Sequence, residues 1–242
     1  MTSSNKKVII IGASSGIGRA LAELYARQGH SVAITGRRTE LLEEIKKAYP
    51  QNIVTKCFDV MGNENIEQLQ SVIQELGGFD LLIYNAGFGE PSESLNRQID
   101  ERTIKTNVDG FAEIARFGFE YFTKQGHGQI VGTSSIASVR GNSHAPAYSA
   151  SKAFMSVYLE GLYIKSKKMK LNIAVTDIQP GFVKSKMAKG NKQFWIVPLD
   201  KAVRQIFAAI EAKRFRVYIS KRWRLIAMLM KIVPRFIYRR IA

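Results

Sequence analysis

A doubly wound α/β fold, with a parallel sheet between two layers of helices, is the class this sequence predicts, and three observations predict it. A β-branched run, Val8-Ile9-Ile10-Ile11, ends in Gly12-Ala13-Ser14-Ser15-Gly16-Ile17-Gly18 and passes directly into a helical pattern from Arg19 to Gln28, closed by Gly29. The same strand-then-helix alternation recurs twice before Asn85. The 242 residues, 45% of them hydrophobic, suffice for one sizeable core and one domain. Alternation of this kind builds a parallel sheet whose ligands bind beyond the C-terminal ends of the strands.

The elements follow in order. Residues 31–35 form a second strand ending at Gly36-Arg37-Arg38, and residues 39–49 carry a helical pattern. Residues 53–58 read as a buried third strand holding Cys57, with Asp59 and Val60 at its end. Residues 63–76 read as a helix with Asn63 as candidate N-cap. Residues 79–84 form a fourth strand running into Asn85-Ala86-Gly87. Residues 97–124 support a long helix kinked near Asn107 or Gly110, and asparagine is poorly placed inside a helix unless its side chain has a task. Residues 128–133 are a fifth strand leading to Ser134-Ser135, and a loop with Gly141 and Pro146 leads to Tyr148 at the next helix start. A sixth strand at 171–178, a helix at 200–213 and a short strand at 216–219 complete the sheet.

The single cysteine excludes an intrachain disulfide and suggests a reducing, cytoplasmic setting. No uninterrupted apolar stretch of about 18 residues exists, so no membrane span is expected. The first apolar run is broken by Gly12 and Gly16 and reads as a strand, not a signal peptide. The charge is uneven: 36 basic against 20 acidic residues give +16, and from Lys213 onward there are ten lysines and arginines and no acid. Such a balance points to an anionic partner.

The Gly12-x-x-x-Gly16-x-Gly18 turn opens a helix, whose free N–H groups and dipole favour a phosphate. No Gly-Lys-Ser/Thr follows, which disfavours a triphosphatase loop. In dinucleotide folds an acid at the end of the second strand binds the free ribose 2′-hydroxyl, and arginine accommodates a 2′-phosphate. Gly36 stands where the acid would be and Arg37 and Arg38 follow, which favours NADP(H) over NAD(H). Tyr148 and Lys152 lie one helical turn apart on one face, so an ammonium would favour the phenolate of a tyrosine suited to proton transfer.

Gly12-x-x-x-Gly16-x-Gly18, Asn85-Ala86-Gly87, Asn107, Ser135, Tyr148-x-x-x-Lys152 and Pro180-Gly181 occur in this order, Ser135 thirteen residues before Tyr148. In these motifs, over about residues 5 to 220, the chain resembles the short-chain dehydrogenase/reductase family in its short single-domain branch. The resemblance implies a Rossmann-type fold and an NADP(H)-dependent oxidoreductase interconverting a ketone and a secondary alcohol. Tyr148 would be the proton donor in reduction. Lys152 would tune it and hold the nicotinamide ribose, Ser135 would hydrogen-bond the substrate oxygen, and Asn107 would place a water in a proton relay. Gly12, Ser14, Ser15, Gly16, Ile17, Gly18, Arg37, Arg38, Asp59, Asn85, Ala86, Gly87, Pro180, Gly181, Val183 and Ser185 would line the cofactor together with Tyr148 and Lys152. No metal ligand set is singled out. Tyr84 and Ser185 depart from the family's frequent residues; Tyr84 is expected to alter packing only.

The domain organisation expected is a single domain over 1–220, with a substrate lid about 182–197, and a basic amphipathic extension over 221–242. Phe182, Met187, Phe194 and Trp195, mixed with Lys184, Lys186, Lys189 and Lys192, suit a lipid-like or anionic substrate, with a solvated loop partly folded into the core as the competing reading; the reaction expected is reduction of an apolar, lipid- or steroid-like carbonyl. In the extension, Trp223, Leu225, Ile226, Leu229, Met230 and Val233 fall on one helical side. A basic helix carrying Trp and aliphatic residues is suited to peripheral contact with an anionic membrane. A helix packed on the enzyme or on a second subunit is the competing reading. No nucleic-acid module is recognised, and no nucleic-acid partner is expected. The resemblance implies a homodimer or higher homo-oligomer formed through the helices beginning near Arg97 and Tyr148. A non-catalytic nucleotide-sensing or interaction protein on the same fold is the alternative function.

Overall fold

The computed structural model describes residues 5–92, 94–184 and 194–240. Seven parallel strands form one sheet: β1 (Lys7–Ile11), β2 (Ser31–Gly36), β3 (Ile53–Cys57), β4 (Leu81–Tyr84), β5 (His127–Thr133), β6 (Asn172–Pro180) and β7 (Arg216–Ile219). Their order is β3-β2-β1-β4-β5-β6-β7. The order reverses between β1 and β4, and a crevice opens there beyond the strand ends. The loops after β1 and β4, which carry Gly12 to Gly18 and Asn85 to Gly87, flank that crevice.

Both faces of the sheet are covered, as the unbroken apolar runs of its central strands require. On one face pack α1 (Gly16–Arg27), α2 (Thr39–Ala48) and α7 (Leu199–Glu211), through Leu21, Leu42, Ile45 and Ile206 against Val8, Ile10 and Ile34. On the other pack α3 (Asn65–Leu76), α5 (Gly110–Gln125) and α6 (Pro146–Lys168), through Leu69, Phe111, Phe122 and Leu159 against Ile9, Ile11 and Leu82. Alternate residues of β1 thus feed two separate cores, the period-2 rule at work in a three-layer fold. Burial of each such aliphatic or aromatic side chain contributes about 1.5–3 kcal/mol.

Three local expectations need correction. Cys57 is exposed, because β3 is the edge strand and Cys57 closes it. Asn63 does not cap α3; Glu64 stands at the N-cap, and Asn65 instead turns inward, its amide donating to the carbonyls of Val60 and Gly62 and to Glu113. The long helix expected over 97–124 is three segments in line. These are α4 (Arg97–Ile104), a five-residue π turn (Lys105–Asp109) and α5. The widened turn falls on Asn107, and such turns frequently mark functional positions.

The extension forms α8 (Lys221–Ile232) and the short α9 (Arg235–Tyr238). Its apolar residues do not lie on one side. Trp223 and Ala227 are buried with Ile226 and Met230 half-buried beside them, whereas Leu225, Met228, Leu229 and Ile232 point outward. No helix among the described residues is long and apolar enough to cross a membrane.

Candidate active site

At the crevice, Gly12 adopts φ +84°, and a Cβ there would come within 2.5 Å of the Ala86 backbone. Only glycine lets the two loops approach this closely. Asn85 ties them further, its amide donating to the Gly12 carbonyl at 3.0 Å while its oxygen accepts from the Thr133 hydroxyl at 3.2 Å. Ser15 stands at the N-cap of α1 in an extended conformation with no side-chain cap. The first N–H groups of the helix, from Gly16, Ile17 and Gly18, therefore retain their capacity for an anion.

The two arginines part company. Arg38 donates through one guanidinium nitrogen to the hydroxyls of Ser14 (2.7 Å) and Ser15 (2.9 Å), so it lies over the glycine-rich turn. Arg37 turns to Asp59 at 3.5 Å, and Asp59 also accepts from the Met61 N–H. Gly36 sits against Ser14, leaving no carboxylate beside these hydroxyls. A guanidinium, two hydroxyls and an open helix N-terminus form a donor set that fits a phosphorylated dinucleotide.

Asn107 is fully buried in the π turn. Its oxygen accepts from Phe88 N–H (2.9 Å), and its amide donates to the Phe88 carbonyl (2.7 Å) and the Ser151 hydroxyl (2.9 Å). Ser151 in turn donates to the Tyr148 carbonyl. Lys152, also buried, donates to the Thr133 carbonyl at 2.9 Å. Gly87 lies between Lys152 and Asn107: a Cβ on it would be 3.3 Å from the Lys152 Nζ and 3.6 Å from the Asn107 Oδ1. Tyr148 lies beside Ser135, its ring packs on Gly89, and its ring centroid is 5.8 Å from the Lys152 nitrogen. Asn107, Ser135, Tyr148 and Lys152 are thus gathered at the C-terminal ends of β4 and β5.

The electrostatics differ from expectation. Burial raises the Tyr148 pKa above the ordinary phenol value, against the opposing hydrogen bond from Ser135. Lys152 does not bring it down here, because burial pushes the lysine itself to about 8, with the negative charge of Asp177 acting in the opposite direction. At neutral pH the phenol holds its proton and the lysine is predominantly cationic.

Pro180 ends β6, and Gly181 N–H donates to the Ile219 carbonyl at 2.8 Å. Val183 is buried and pairs with Val197, so it contributes a backbone turn and not an exposed side chain. Ser185 lies outside the described residues, as do Lys186, Met187, Lys189 and Lys192.

Sequence reasoning missed four contributors. Ser151 links Asn107 to Tyr148, and Thr133 receives Lys152 through a carbonyl that no sequence pattern marks. Asp177, fully buried, accepts from Ser134, Ser156, Gln179 and Arg216 directly behind Ser135. Tyr84 does more than pack: its hydroxyl donates to the Thr106 carbonyl at 2.6 Å, inside the turn that carries Asn107. Tyr84→Phe leaves that buried carbonyl without this donor, and a loss of about 1–3 kcal/mol is expected in urea unfolding. An unchanged unfolding midpoint would show that the bond contributes nothing to the turn.

The comparisons with known proteins agree with this geometry. The family profile described as short chain dehydrogenase matches residues 6–194. An uncharacterized oxidoreductase of Mycobacterium tuberculosis (strain CDC 1551 / Oshkosh) is 31% identical over 250 residues, covering 99% of this chain and 98% of the relative. The NADP-dependent 3-hydroxy acid dehydrogenase YdfG of Escherichia coli (strain K12) is 31% identical over 180 residues, covering 73% of this chain and 72% of that protein. The crystal structure of a short-chain dehydrogenase from Streptomyces avermitilis superposes with a TM-score of 0.82 at 26% identity, covering 94% of this chain and 92% of that one. A seven-stranded parallel sheet with its switch point between β1 and β4, a glycine-rich turn beside it, and a profile match over most of the length place the chain in the short-chain dehydrogenase/reductase family, oxidoreductases that act on CH–OH and C=O groups with NAD(P)(H).

Proposed function

We propose that the protein is an NADP(H)-dependent reductase of an apolar ketone, running in reverse as an alcohol oxidation when concentrations demand it. One observation carries the reading: a phenol that burial keeps protonated at neutral pH stands beside Ser135 and a buried Lys152, at the mouth of a crevice whose other end presents Arg38. The dinucleotide, when bound, supplies the hydride. Tyr148 gives its proton to the carbonyl oxygen, and the Ser135 hydroxyl donates a hydrogen bond to the same oxygen as charge develops on it. Lys152 holds positive charge near the phenolate that is left. Asn107 and Lys152 face the same small space beside Gly87, where one water would relay the replacement proton. The preference for NADP(H) is supported by Arg38 on Ser14 and Ser15, and by the stated cofactor of the E. coli relative.

The test is oxidation of NADPH and NADH by the purified protein across ketones of increasing chain length and bulk. Turnover with NADPH that rises with apolar size supports the reading. NADPH binding with no turnover of any ketone favours the alternative of a non-catalytic sensor on this fold.

Arg38→Ala gives a sharper prediction. A hydrogen bond to a charged group contributes about 1.5–3 kcal/mol, so the KM for NADPH should rise about 10- to 100-fold. The KM for NADH should stay within about threefold, since a free 2′-hydroxyl has no phosphate to lose. An equal rise for both cofactors would remove Arg38 from cofactor choice. Homodimer formation is part of the same reading, supported by the exposed Phe154, Val157 and Ile164 on α6.

A further inference from the structure

The extension is fastened to the loops of the active site. Trp223, 3% exposed, lies so close to Gly181 that a Cβ there would come within 2.1 Å of the indole. Its ring meets Phe182 at 5.5 Å and Phe194 at 5.2 Å. Arg140, five residues after Ser135, donates to the carbonyls of Met230 and Val233 at the end of α8 and stacks 4.2 Å over Tyr238. The Tyr238 hydroxyl returns a hydrogen bond to the Gly141 carbonyl at 2.8 Å. The inner face of α8 is therefore packed on the loops that follow β5 and β6, at the C-terminal ends of those strands.

The outer face has no such partner among the described residues. Leu225, Met228, Leu229 and Ile232, at i, i+3, i+4 and i+7, are between 54% and 77% exposed, and Phe236 extends them. Around Trp223, the surface continues through Phe194, Trp195 and Ile196, each about half exposed. Arg222 packs over Trp195, and Lys221, Arg224, Lys231, Arg235, Arg239 and Arg240 border the rest. No acid follows Glu211. A helix already anchored through one apolar face has no folding need for a second. A contiguous exposed apolar surface marks a docking site.

Charge decides the occupant. A second copy of this chain would set the same seven cations of the extension against one another. A nucleic acid would pair with the cations and leave the aliphatic stripe in water. An anionic bilayer accepts both, headgroups taking the arginines and lysines while the stripe enters the acyl boundary. We propose that the outer face of α8, with Phe194 to Ile196, docks on an anionic membrane surface. The substrate end of the crevice then opens at the lipid and the carbonyl substrate is drawn from it. The delivery of substrate rests on the oxidoreductase reading; the docking does not.

Flotation of the full-length protein with phosphatidylcholine vesicles, with and without phosphatidylglycerol, tests it. The wild type is expected to float with the anionic vesicles only. Leu229→Asp combined with Ile232→Asp should weaken that binding about tenfold or more, with NADPH affinity and the circular dichroism spectrum as fold controls. A long-chain ketone presented in anionic vesicles should be reduced at least about tenfold faster by the wild type than by the double variant, and a short soluble ketone equally by both. Equal flotation of the two proteins, or none by either, overturns the proposal. So does a wild-type dimer that the double variant dissociates, since the face then belongs to a second copy. Stripe-dependent flotation without turnover of any ketone keeps the docking and sinks the oxidoreductase reading, and turnover without flotation does the reverse.

Discussion

Replacement of Tyr148 by phenylalanine is expected to lower kcat for ketone reduction about 10²- to 10⁴-fold, the range contributed by a positioned proton donor. The ring's place against Gly89 and its approach to Lys152 survive the change, so thermal stability should move by less than about 0.5–1.5 kcal/mol, the net worth of one hydrogen bond. The wild type should also show a pH limb that the variant lacks. Its reduction needs a protonated phenol, which burial keeps protonated past the ordinary phenol value, and a cationic Lys152, whose charge is lost as pH rises through about 8. The rate should therefore be flat below that value and fall above it. This fall is not unfolding. Lys152 has its folded value below the ordinary 10.5, so the folded chain holds fewer protons than the unfolded chain between the two values. Its contribution to stability increases with pH across that window. Rate loss at pH 9 with an undiminished melting temperature is the expected signature. A variant retaining more than a tenth of wild-type kcat would remove Tyr148 from the proton path.

How far such a site can be read from the sequence depends on whether the signal is local. The sheet and its crevice were legible because β1 and β4 are unbroken apolar runs stopped by glycine-bearing turns, and the helices between them keep one apolar face. Asn107 was legible by its misplacement: an amide inside a helix had to be satisfied, and the π turn with Phe88 and Ser151 satisfies it. The adjacent arginines were not separable, since the turn into α2 sends Arg38 to the glycine-rich loop and Arg37 to Asp59, a choice made by contacts 22 to 24 residues away. Tyr84 looked like packing because nothing local points to the Thr106 carbonyl it serves. In the extension, helical spacing identified apolar positions but grouped Leu225 and Leu229 with Trp223. Only the docking of Trp223 on Gly181 fixes which arc turns inward.

The largest expected loss of stability follows from Asp177→Asn. The carboxylate is fully buried on β6, accepting hydrogen bonds from Ser134, from Ser156 (2.7 Å), from Gln179 (2.7 Å) and from the Arg216 guanidinium (3.1 Å). An amide in its place turns two donors toward neighbours that are themselves donors and leaves Arg216 without its buried counter-ion. Removing one member of such a pair costs about 3–5 kcal/mol. Arg216 keeps Glu160 at 3.2 Å and some solvent contact, so the lower end, about 3 kcal/mol, is expected here. For a chain of this length that is a melting-temperature drop of about 6–12 °C. Adding Arg216→Met should restore part of it, because the stranded cation, and not the missing anion, is the greater burden. The same carboxylate raises the Lys152 pKa toward its ordinary value, and losing it should move the alkaline limb of the rate profile below pH 8. A purely structural role for Asp177 predicts the melting shift with an unmoved limb. Movement of both ties the network behind Ser135 to the proton chemistry in front of it.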